Sequence, residues 1–352
     1  MEYRALGRTG LKVSALSYGA SPLGGVFGEI DESAGIACVR RALDLGINYI
    51  DVAPYYGLTR AETVLGKALR GVPRDRYFLA TKVGRYGAEP RDFDHSAGRV
   101  LRSIDESLGR LGVDYVDVIQ CHDIEFVRLD QIVEETIPAL RRARDAGKAR
   151  FIGITGLPLH AFRHVLDRVE VDTVLSYCHY SLNDSSLEHL VPYLKSRGVG
   201  IISASPLSMG LLTHGGMPSW HPADRRIKEA CARAAAHCRA RGADLSKLAV
   251  QFSVSNPDLA TTVVGTSHAE KIEKNVRWAA EPVDRELLAE VLEILRPVKN
   301  RAWQQGIPEN YPVCAKTGRR TGARGYVYTP KGAVSVGAPA RKPARRRKKG
   351  RK

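Results

Sequence analysis

The 352-residue sequence predicts an α/β fold, a (β/α)8 TIM barrel in which eight parallel strands close on themselves and helices cover the outside. Short apolar runs of strand length alternate with longer amphipathic segments, which is the order expected of parallel strands joined by helices. Charged residues stand where several of these runs end, at the edge where α/β proteins keep their functional groups. No reversal of strand order is signalled, so a closed barrel is favoured over an open sheet.

A β-hairpin is predicted before the barrel, because residues 3–6 and 11–13 flank a Gly-Arg-Thr-Gly turn. Each barrel strand is predicted from a short apolar run that ends at a glycine, a proline or a polar residue. These runs are residues 15–18, 47–50, 77–81, 115–121, 151–154, 174–177, 200–203 and 262–264.

The segments between the strands carry apolar residues at helical spacing. Asp31 or Ser33 is placed to cap a first helix that runs to Leu45, and Gly147 fits the end of the helix that precedes it. The other helices are predicted at 61–69, 96–111, 129–146, 159–169, 186–196 and 225–241, with one that holds Lys271 and Asn275 and two extra helices at 245–255 and 284–295.

Charge divides the chain into two regions. The formal net charge is +16, but residues 315–352 contain fourteen Lys or Arg and no Asp or Glu, so removing them leaves +2 on residues 1–314. The basic segment is rich in Gly and Pro and lacks apolar periodicity, so it cannot bury a core. We predict a barrel domain at 1–314 and a disordered tail at 315–352. The tail is expected either to bind nucleic acid or another polyanion nonspecifically or to act only as a solubilising appendage.

Composition also limits the class of protein. No apolar run approaches the roughly 18 residues that a membrane span requires, and the N-terminus has no signal-peptide pattern. The six cysteines are scattered and form no Cys-x-x-Cys pair, which favours reduced thiols over disulfides or a metal site. We expect a cytoplasmic protein with no bound metal and no membrane association, present as a monomer or a weak homodimer.

Four polar side chains stand at or just past the ends of three successive predicted strands. Asp51 follows the run 47–50, and Tyr56 lies five residues further on. Lys82 follows 77–81, and His122 follows 115–121. Any one of these residues alone is more typical of a solvated loop. The carboxyl ends of parallel strands meet at one end of a barrel, so the four together predict an active site.

In these motifs the chain resembles the aldo-keto reductases, from about residue 3 to 310: the matching runs are NYIDVAPYYG, FLATKVGR and VDVIQCHD. It is more closely similar to the subgroup of L-galactose dehydrogenases, through the runs RALGRTGLKVSALSYGASPLGGVFG, CHDIEF, FIGITGLPL, LSYCHYSLNDSSL, ISASPLSMGLLT and RPVKNRAWQQGIPEN. The resemblance implies that Asp51, Tyr56, Lys82 and His122 are the catalytic four and that residues 298–314 lie over the barrel mouth.

The implied reaction interconverts a carbonyl and an alcohol. Tyr56 would transfer the proton, and because the ordinary pKa of Tyr is about 10, the Lys82 ammonium is expected to lower it. Asp51 would hold Lys82 by an ion pair, and His122 would orient the substrate oxygen.

The resemblance also implies a nicotinamide cofactor that lies extended across the barrel mouth, with its phosphates on the loops after the last two strands. The expected cofactor-binding residues are Gly19, Ala20, Ser21, Thr155, Gly156, Tyr177, Ser205, Pro206, Leu207, Met209, Gly210, Gly265, Thr266, Ser267, Lys271 and Asn275. Phe27, Trp220 and Trp303, together with His122, are expected to form the walls of the substrate site.

The chain departs from the family pattern around this cofactor. Thr155-Gly156 stands where many members have Ser-Asn, and Gly265 stands where NADP-preferring members carry Lys or Arg. We therefore expect NAD, with NADP as the alternative. One candidate activity is NAD-dependent oxidation of a free aldose at C1 to the lactone, with L-galactose, L-fucose or D-arabinose as substrate. The other is NADPH-dependent reduction of aldehydes and ketones. The four intact residues argue against a binding role without catalysis.

Overall fold

The computed structural model describes residues 1–311, 326–329 and 332–335, and its centre is a closed barrel of eight parallel strands. A hairpin of β1 (Tyr3–Ala5) and β2 (Lys12–Ser14) precedes the barrel. The barrel strands are β3 (Leu16–Gly19), β4 (Tyr49–Asp51), β5 (Phe78–Val83), β6 (Val116–Cys121), β7 (Ala149–Gly156), β8 (Thr173–Tyr177), β9 (Gly200–Ala204) and β10 (Thr261–Gly265). Because β10 pairs with both β9 and β3, the sheet closes. The predicted barrel is confirmed, and each strand lies within two residues of its expected place.

The helices surround the barrel, and among the described residues no helix combines the length and hydrophobicity of a transmembrane segment. The first is capped by Asp31, whose carboxylate accepts hydrogen bonds from two backbone amides of the opening turn. The helices are α1 (Glu32–Asp44), α2 (Arg60–Leu69), α3 (Ala97–Leu111), α4 (Leu129–Gln131), α5 (Ile137–Asp145), α6 (Leu159–Leu166), α7 (Val191–Ser196), α8 (Arg225–Ala240), α9 (Leu245–Val254), α10 (Ala269–Ala280) and α11 (Arg285–Leu295). A π-helical turn joins α4 to α5.

The roles of two predicted helices are exchanged in the structure. Residues 245–255 were expected to form an extra helix, but α9 packs on the barrel, where the Thr262 hydroxyl of β10 donates to the backbone oxygen of Ser253 at 3.1 Å. Helix α8 instead packs with α11 in a second apolar cluster, in which Ile227 and Cys231 lie with Leu287 and to which α9 contributes Leu245. Both segments have the same apolar periodicity, so periodicity alone does not show which one lies against the sheet.

The hairpin covers the amino-terminal end of the barrel. Leu6 and Leu11 are buried in one cluster with Tyr49, Val118 and Ile202, which face the barrel interior. Their neighbours along the strands face outward, towards the helices, as the two-residue repeat of a strand requires. With this end closed, the carboxyl ends of the strands form the open face.

Part of the predicted disordered tail is ordered in strands. The short strand β11 (Arg301–Ala302) pairs antiparallel with β12 (Tyr326–Thr329), which pairs with β13 (Gly332–Ser335). This corrects the prediction for these two segments, where the β-favouring run Tyr-Val-Tyr-Thr is followed by Ala-Val-Ser. Composition averaged over 315–352 hides such short runs, and the rest of the tail lies outside the described residues.

Two loops on the open face cross at a pair of glycines. Gly57 has a φ of +63°, and a Cβ there would lie 2.1 Å from the backbone oxygen of Gly24. A Cβ on Gly24 would lie 2.5 Å from backbone atoms of Tyr56. Backbone atoms cannot yield as a flexible side chain does, so this crossing fixes where Tyr56 stands.

Replacing Gly57 by Ala should therefore cost about 2–5 kcal/mol of folding stability, from the left-handed backbone and from overpacking. Gly112→Ala is the matched control, because Gly112 has a φ of +68° but open space around its Cβ position, so only the backbone cost of about 1–2 kcal/mol applies. Denaturant unfolding of both variants measures the difference. Equal losses of unfolding free energy in the two variants would contradict the close contact between Gly57 and Gly24.

Candidate active site

The carboxyl ends of the strands open into a cleft of about 1320 Å³, and Asp51, Tyr56, Lys82 and His122 all line it. Asp51 ends β4, and His122 directly follows β6. Lys82 lies inside β5 and not after it, because the strand continues to Val83 in register with β6. The structure thus brings together the four residues expected to be catalytic.

The buried Lys82 ammonium organises this cluster. It donates to Asp51 Oδ1, to the backbone oxygen of Val52 at 2.9 Å and to the Tyr56 hydroxyl at 3.3 Å. Gln120 Nε2 donates to the second carboxylate oxygen of Asp51 at 2.8 Å. All three ammonium protons therefore have acceptors, which is what a charge inside a protein requires.

The Tyr56 hydroxyl is harder to ionise than the sequence suggested. Burial raises the pKa of Tyr56 to about 12, and the Lys82 ammonium opposes this without cancelling it. Lys82 lowers the pKa of Tyr56 as expected, but burial is the larger effect, so the pKa lies above its ordinary value of about 10. Burial lowers the pKa of Lys82 itself, but the Asp51 carboxylate and Tyr56 raise it by more. At neutral pH, Tyr56 carries its proton beside a charged Lys82.

His122 presents a neutral imidazole to the cleft. Burial, together with the positive charges of Lys82 and Arg85, holds the pKa of His122 well below its usual range. The rings of Tyr55 and Tyr56 meet it edge-on, at 5.9 and 5.6 Å between centroids. Among the described residues its Nδ1 has no hydrogen-bond partner. A neutral imidazole has one N–H to donate, so His122 is suited to hold a substrate oxygen.

The residues expected to bind a cofactor fit an extended molecule. Most line the main cleft or a second recess of about 490 Å³, and Leu207, Gly265 and Lys271 line both. Ser205, Ser208 and Met209, on the loop after β9, have positive φ angles, and Ser205 and Met209 line the cleft. A Cβ on Gly265 would lie 3.1 Å from the backbone oxygen of Gly19, so the backbone itself forms this wall.

Two expected cofactor residues line neither recess. Ala20 is fully buried, and its amide donates to the backbone oxygen of Asp51 at 2.8 Å. The Cβ position of Gly156 points at Glu125, 2.5 Å from Oε2. Both residues are therefore placed to shape the loops around the cleft, without facing it.

Of the three aromatic residues expected to form walls of the substrate site, two line the cleft and one does not. Phe27 and Trp220 stand on opposite loops with ring centroids 6.0 Å apart, each about half exposed, and both line the cleft. Trp303 is buried, with its ring 5.2 Å from that of His221, and does not line the cleft. Aromatic type alone does not show which way a loop turns its side chain.

Several cleft residues were not singled out from the sequence. Arg85 and Asp123 form an ion pair beside His122, and Gln305 donates to the Tyr177 hydroxyl. Arg85 and Asp123 stand just past β5 and β6, so the rule that found Lys82 and His122 applies to them too. Gln305 has no comparable signal, because it comes from a distant loop.

Sequence comparison finds enzymes of one family. The profile of the Aldo/keto reductase family matches residues 15–296. L-galactose dehydrogenase of Arabidopsis thaliana is 56% identical over 319 residues, which cover 88% of this chain and 99% of that protein. D-arabinose 1-dehydrogenase of Saccharomyces cerevisiae is 34% identical over 251 residues, covering 66% of this chain and 73% of that one.

The fold comparison agrees. The holo form of an aldo-keto reductase from Bacillus halodurans superposes with a TM-score of 0.70 at 27% identity, covering 88% of this chain and 99% of that chain. The similarity therefore extends over the whole barrel and is not confined to local motifs.

Tyr56→Phe should lower turnover by roughly a hundred- to ten-thousand-fold, because it removes only the hydroxyl that is expected to transfer the proton. Affinity for the reduced nicotinamide, measured by fluorescence titration, should stay close to wild type. Tyr55→Phe is the matched control, since it removes a neighbouring hydroxyl that makes no bond to Lys82. Wild-type turnover in Tyr56→Phe would exclude this residue as the proton carrier.

Alcohol oxidation should accelerate as pH rises from about 7 to about 10, because Tyr56, the expected base, must lose its proton before it can accept another. With a pKa of about 12, the ionised fraction grows about tenfold per pH unit in this window. Aldehyde reduction uses the protonated form and should not accelerate. Initial rates at saturating substrate, in both directions, measure this, and an oxidation rate that falls across the window would contradict it.

Proposed function

The chain belongs to the aldo/keto reductase family and is an oxidoreductase, and on that premise we propose that it oxidises a free aldose at C1 with NAD⁺. The proposed reaction is L-galactose to L-galactono-1,4-lactone. The observation that carries this proposal is the buried cluster of Asp51, Lys82, Tyr56 and His122. The 56% identity to an L-galactose dehydrogenase supports the choice of sugar.

The positions of Tyr56, Lys82 and His122 support a mechanism in which C1 of the sugar loses its hydroxyl proton and its hydride in one step. The anomeric hydroxyl of the cyclic sugar would lie between Tyr56 and His122, with the imidazole N–H donated to its oxygen. Tyr56, ionised with the help of Lys82, takes the hydroxyl proton while the C1–H bond breaks and the C1–O bond becomes a carbonyl. A bound nicotinamide supplies the acceptor for the hydride. A furanose ring oxidised in this way becomes the 1,4-lactone.

NAD is the proposed cofactor, and the second recess supports that choice. It is lined by Asp244 as well as Lys271 and Lys274. The Asp244 carboxylate can accept a hydrogen bond from a ribose hydroxyl, and it repels the extra phosphate of NADP. Gly265 also leaves the start of this loop without a cation.

Steady-state assays of reduced nicotinamide test the proposal. L-galactose, L-fucose and D-arabinose share a configuration near C1, so all three should be oxidised. The kcat/KM should be at least about tenfold higher with NAD⁺ than with NADP⁺, because Asp244 repels the extra phosphate and Gly265 leaves the start of the loop without a cation to pair with it. Failure on all three sugars, together with efficient NADPH-dependent reduction of an aromatic aldehyde, would replace this proposal with a general carbonyl reductase.

The basic tail is proposed to bind polyanions without sequence preference, because residues 315–352 carry fourteen cations and no acidic residue. A chain ending at Ser335 keeps β12 and β13 and removes the densest run, 341–352. It should keep wild-type turnover and lose retention on DNA at low salt, a retention that weakens steeply as salt rises. Equal retention of both chains would leave only a solubilising role.

A further inference from the structure

The cleft holds a second ion pair that the proposed mechanism does not use. Arg85 follows β5 and Asp123 follows β6, and Arg85 Nη1 donates to Asp123 Oδ2. The two side chains are only 14% and 6% exposed, and both residues line the cleft beside His122. Charges this buried are costly unless they are paired, so the pair forms one unit.

Aromatic rings hold the guanidinium in place. Its central carbon lies 3.7 Å from the centroid of Tyr55, and 5.1 and 5.2 Å from those of Phe93 and Phe126. Phe93 and Phe126 themselves stack at 4.3 Å. Contacts of this kind fix the plane of an Arg head group, so its N–H groups keep a set direction.

The Asp123 carboxylate is aimed by its backbone. Asp123 has a φ of +50°, a conformation that residues other than glycine adopt rarely and that recurs at ligand sites. Its amide donates to Thr155 Oγ1 at 3.0 Å. Its Oδ2 then stands 3.7 Å from His122 Nε2, next to the place proposed for the reacting oxygen.

Each partner keeps hydrogen-bonding capacity for a ligand. Within residues 1–311, no hydrogen bond reaches Arg85 Nη2 or Asp123 Oδ1, and neither atom is sealed away from the cleft. The pair therefore offers a donor and an acceptor side by side, with no net charge. A sugar hydroxyl, which both donates and accepts, satisfies both at once.

We propose that Arg85 and Asp123 recognise the hydroxyl on C2 of the sugar, the carbon next to the one that is oxidised. Asp123 accepts the hydroxyl proton, and Arg85 donates to its oxygen. This inference rests on the proposed function, which places the C1 oxygen at Tyr56 and His122. A shift of one carbon along the sugar brings the next hydroxyl to the pair. The pair thereby selects 2-hydroxy aldoses over sugars that lack this group.

Three pentoses form a matched substrate set, because they differ only at C2: D-arabinose, its C2 epimer D-ribose, and 2-deoxy-D-ribose. The wild-type kcat/KM with NAD⁺ should be at least about tenfold lower for the epimer and for the deoxy sugar than for D-arabinose. Asp123→Asn and Arg85→Gln should reduce this preference to less than about threefold. Most of the loss on D-arabinose should appear in KM, because the contact holds the substrate before the reaction as well as during it.

Arg74→Gln is the matched control variant. Arg74 also pairs with a buried aspartate, Asp117, and also lies over aromatic rings, Tyr77 and Tyr115, but at the amino-terminal end of the barrel. It should change stability and leave the C2 preference as in wild type. Thermal unfolding and fluorescence titration with NADH establish that each variant is folded. Arg85→Lys, which keeps the charge without the fork of N–H groups, gives a further variant that should also lose the preference.

The possible results distinguish failure of the proposed role of the Arg85–Asp123 pair from failure of the proposed aldose oxidation. Oxidation of D-arabinose and 2-deoxy-D-ribose with equal kcat/KM by the wild type overturns the role of the pair and leaves the proposed function standing. Folded Asp123 and Arg85 variants that keep the wild-type preference also overturn it. A wild type that oxidises no aldose defeats the proposed function, and this inference fails with it. The wild-type comparison needs no substitution, so the test holds even where a variant does not fold.

Discussion

The buried ammonium of Lys82 is the interaction on which the rest of the site depends. It ties β5 to Asp51 of β4, and Gln120 of β6 completes the contact by donating to the same carboxylate. Removing one partner of such a pair leaves an uncompensated buried charge and costs about 3–5 kcal/mol. The same ammonium bonds the Tyr56 hydroxyl. One charge therefore both joins two barrel strands and positions the Tyr56 hydroxyl.

The two ends of the barrel are built for different purposes. At the closed end the hairpin seals the interior, and Asp117 binds Arg74 and Arg150. At the open end the loops carry the strained backbone. Every described residue other than glycine with a positive φ lies in the connections after the barrel strands or in the C-terminal loop: Leu58, Thr59, Asp123, Cys178, Ser205, Ser208, Met209 and Asn300. Strain of this kind is tolerated where the surrounding fold fixes it, and it gathers at ligand sites.

Sequence reasoning succeeded where a local pattern has one structural meaning. Short apolar runs located the strands, and polar residues at their ends located Asp51, Lys82 and His122 in the cleft. The same rule would have found Arg85 and Asp123, had it been applied to every strand end.

Prediction from the sequence failed for features that depend on packing between residues distant in the chain. The pKa of Tyr56 depends on how completely the loops bury it, which no local pattern records. The direction of Trp303 depends on His221, which lies far away in the chain. The strand β12 within the tail pairs with the edge of β11, at Arg301. Each of these features is set by a partner distant in sequence.

In the proposed reaction, hydride leaves C1 of the sugar while Tyr56 takes the proton from the C1 hydroxyl. L-galactose labelled with deuterium at C1 shows where this hydrogen goes, when both products are analysed by mass spectrometry after reaction with NAD⁺. The expected result is one deuterium in the reduced cofactor, none in the lactone, and a rate lower than with unlabelled sugar when the chemical step limits turnover. Deuterium retained in the sugar product, with unlabelled reduced cofactor, would contradict the claim.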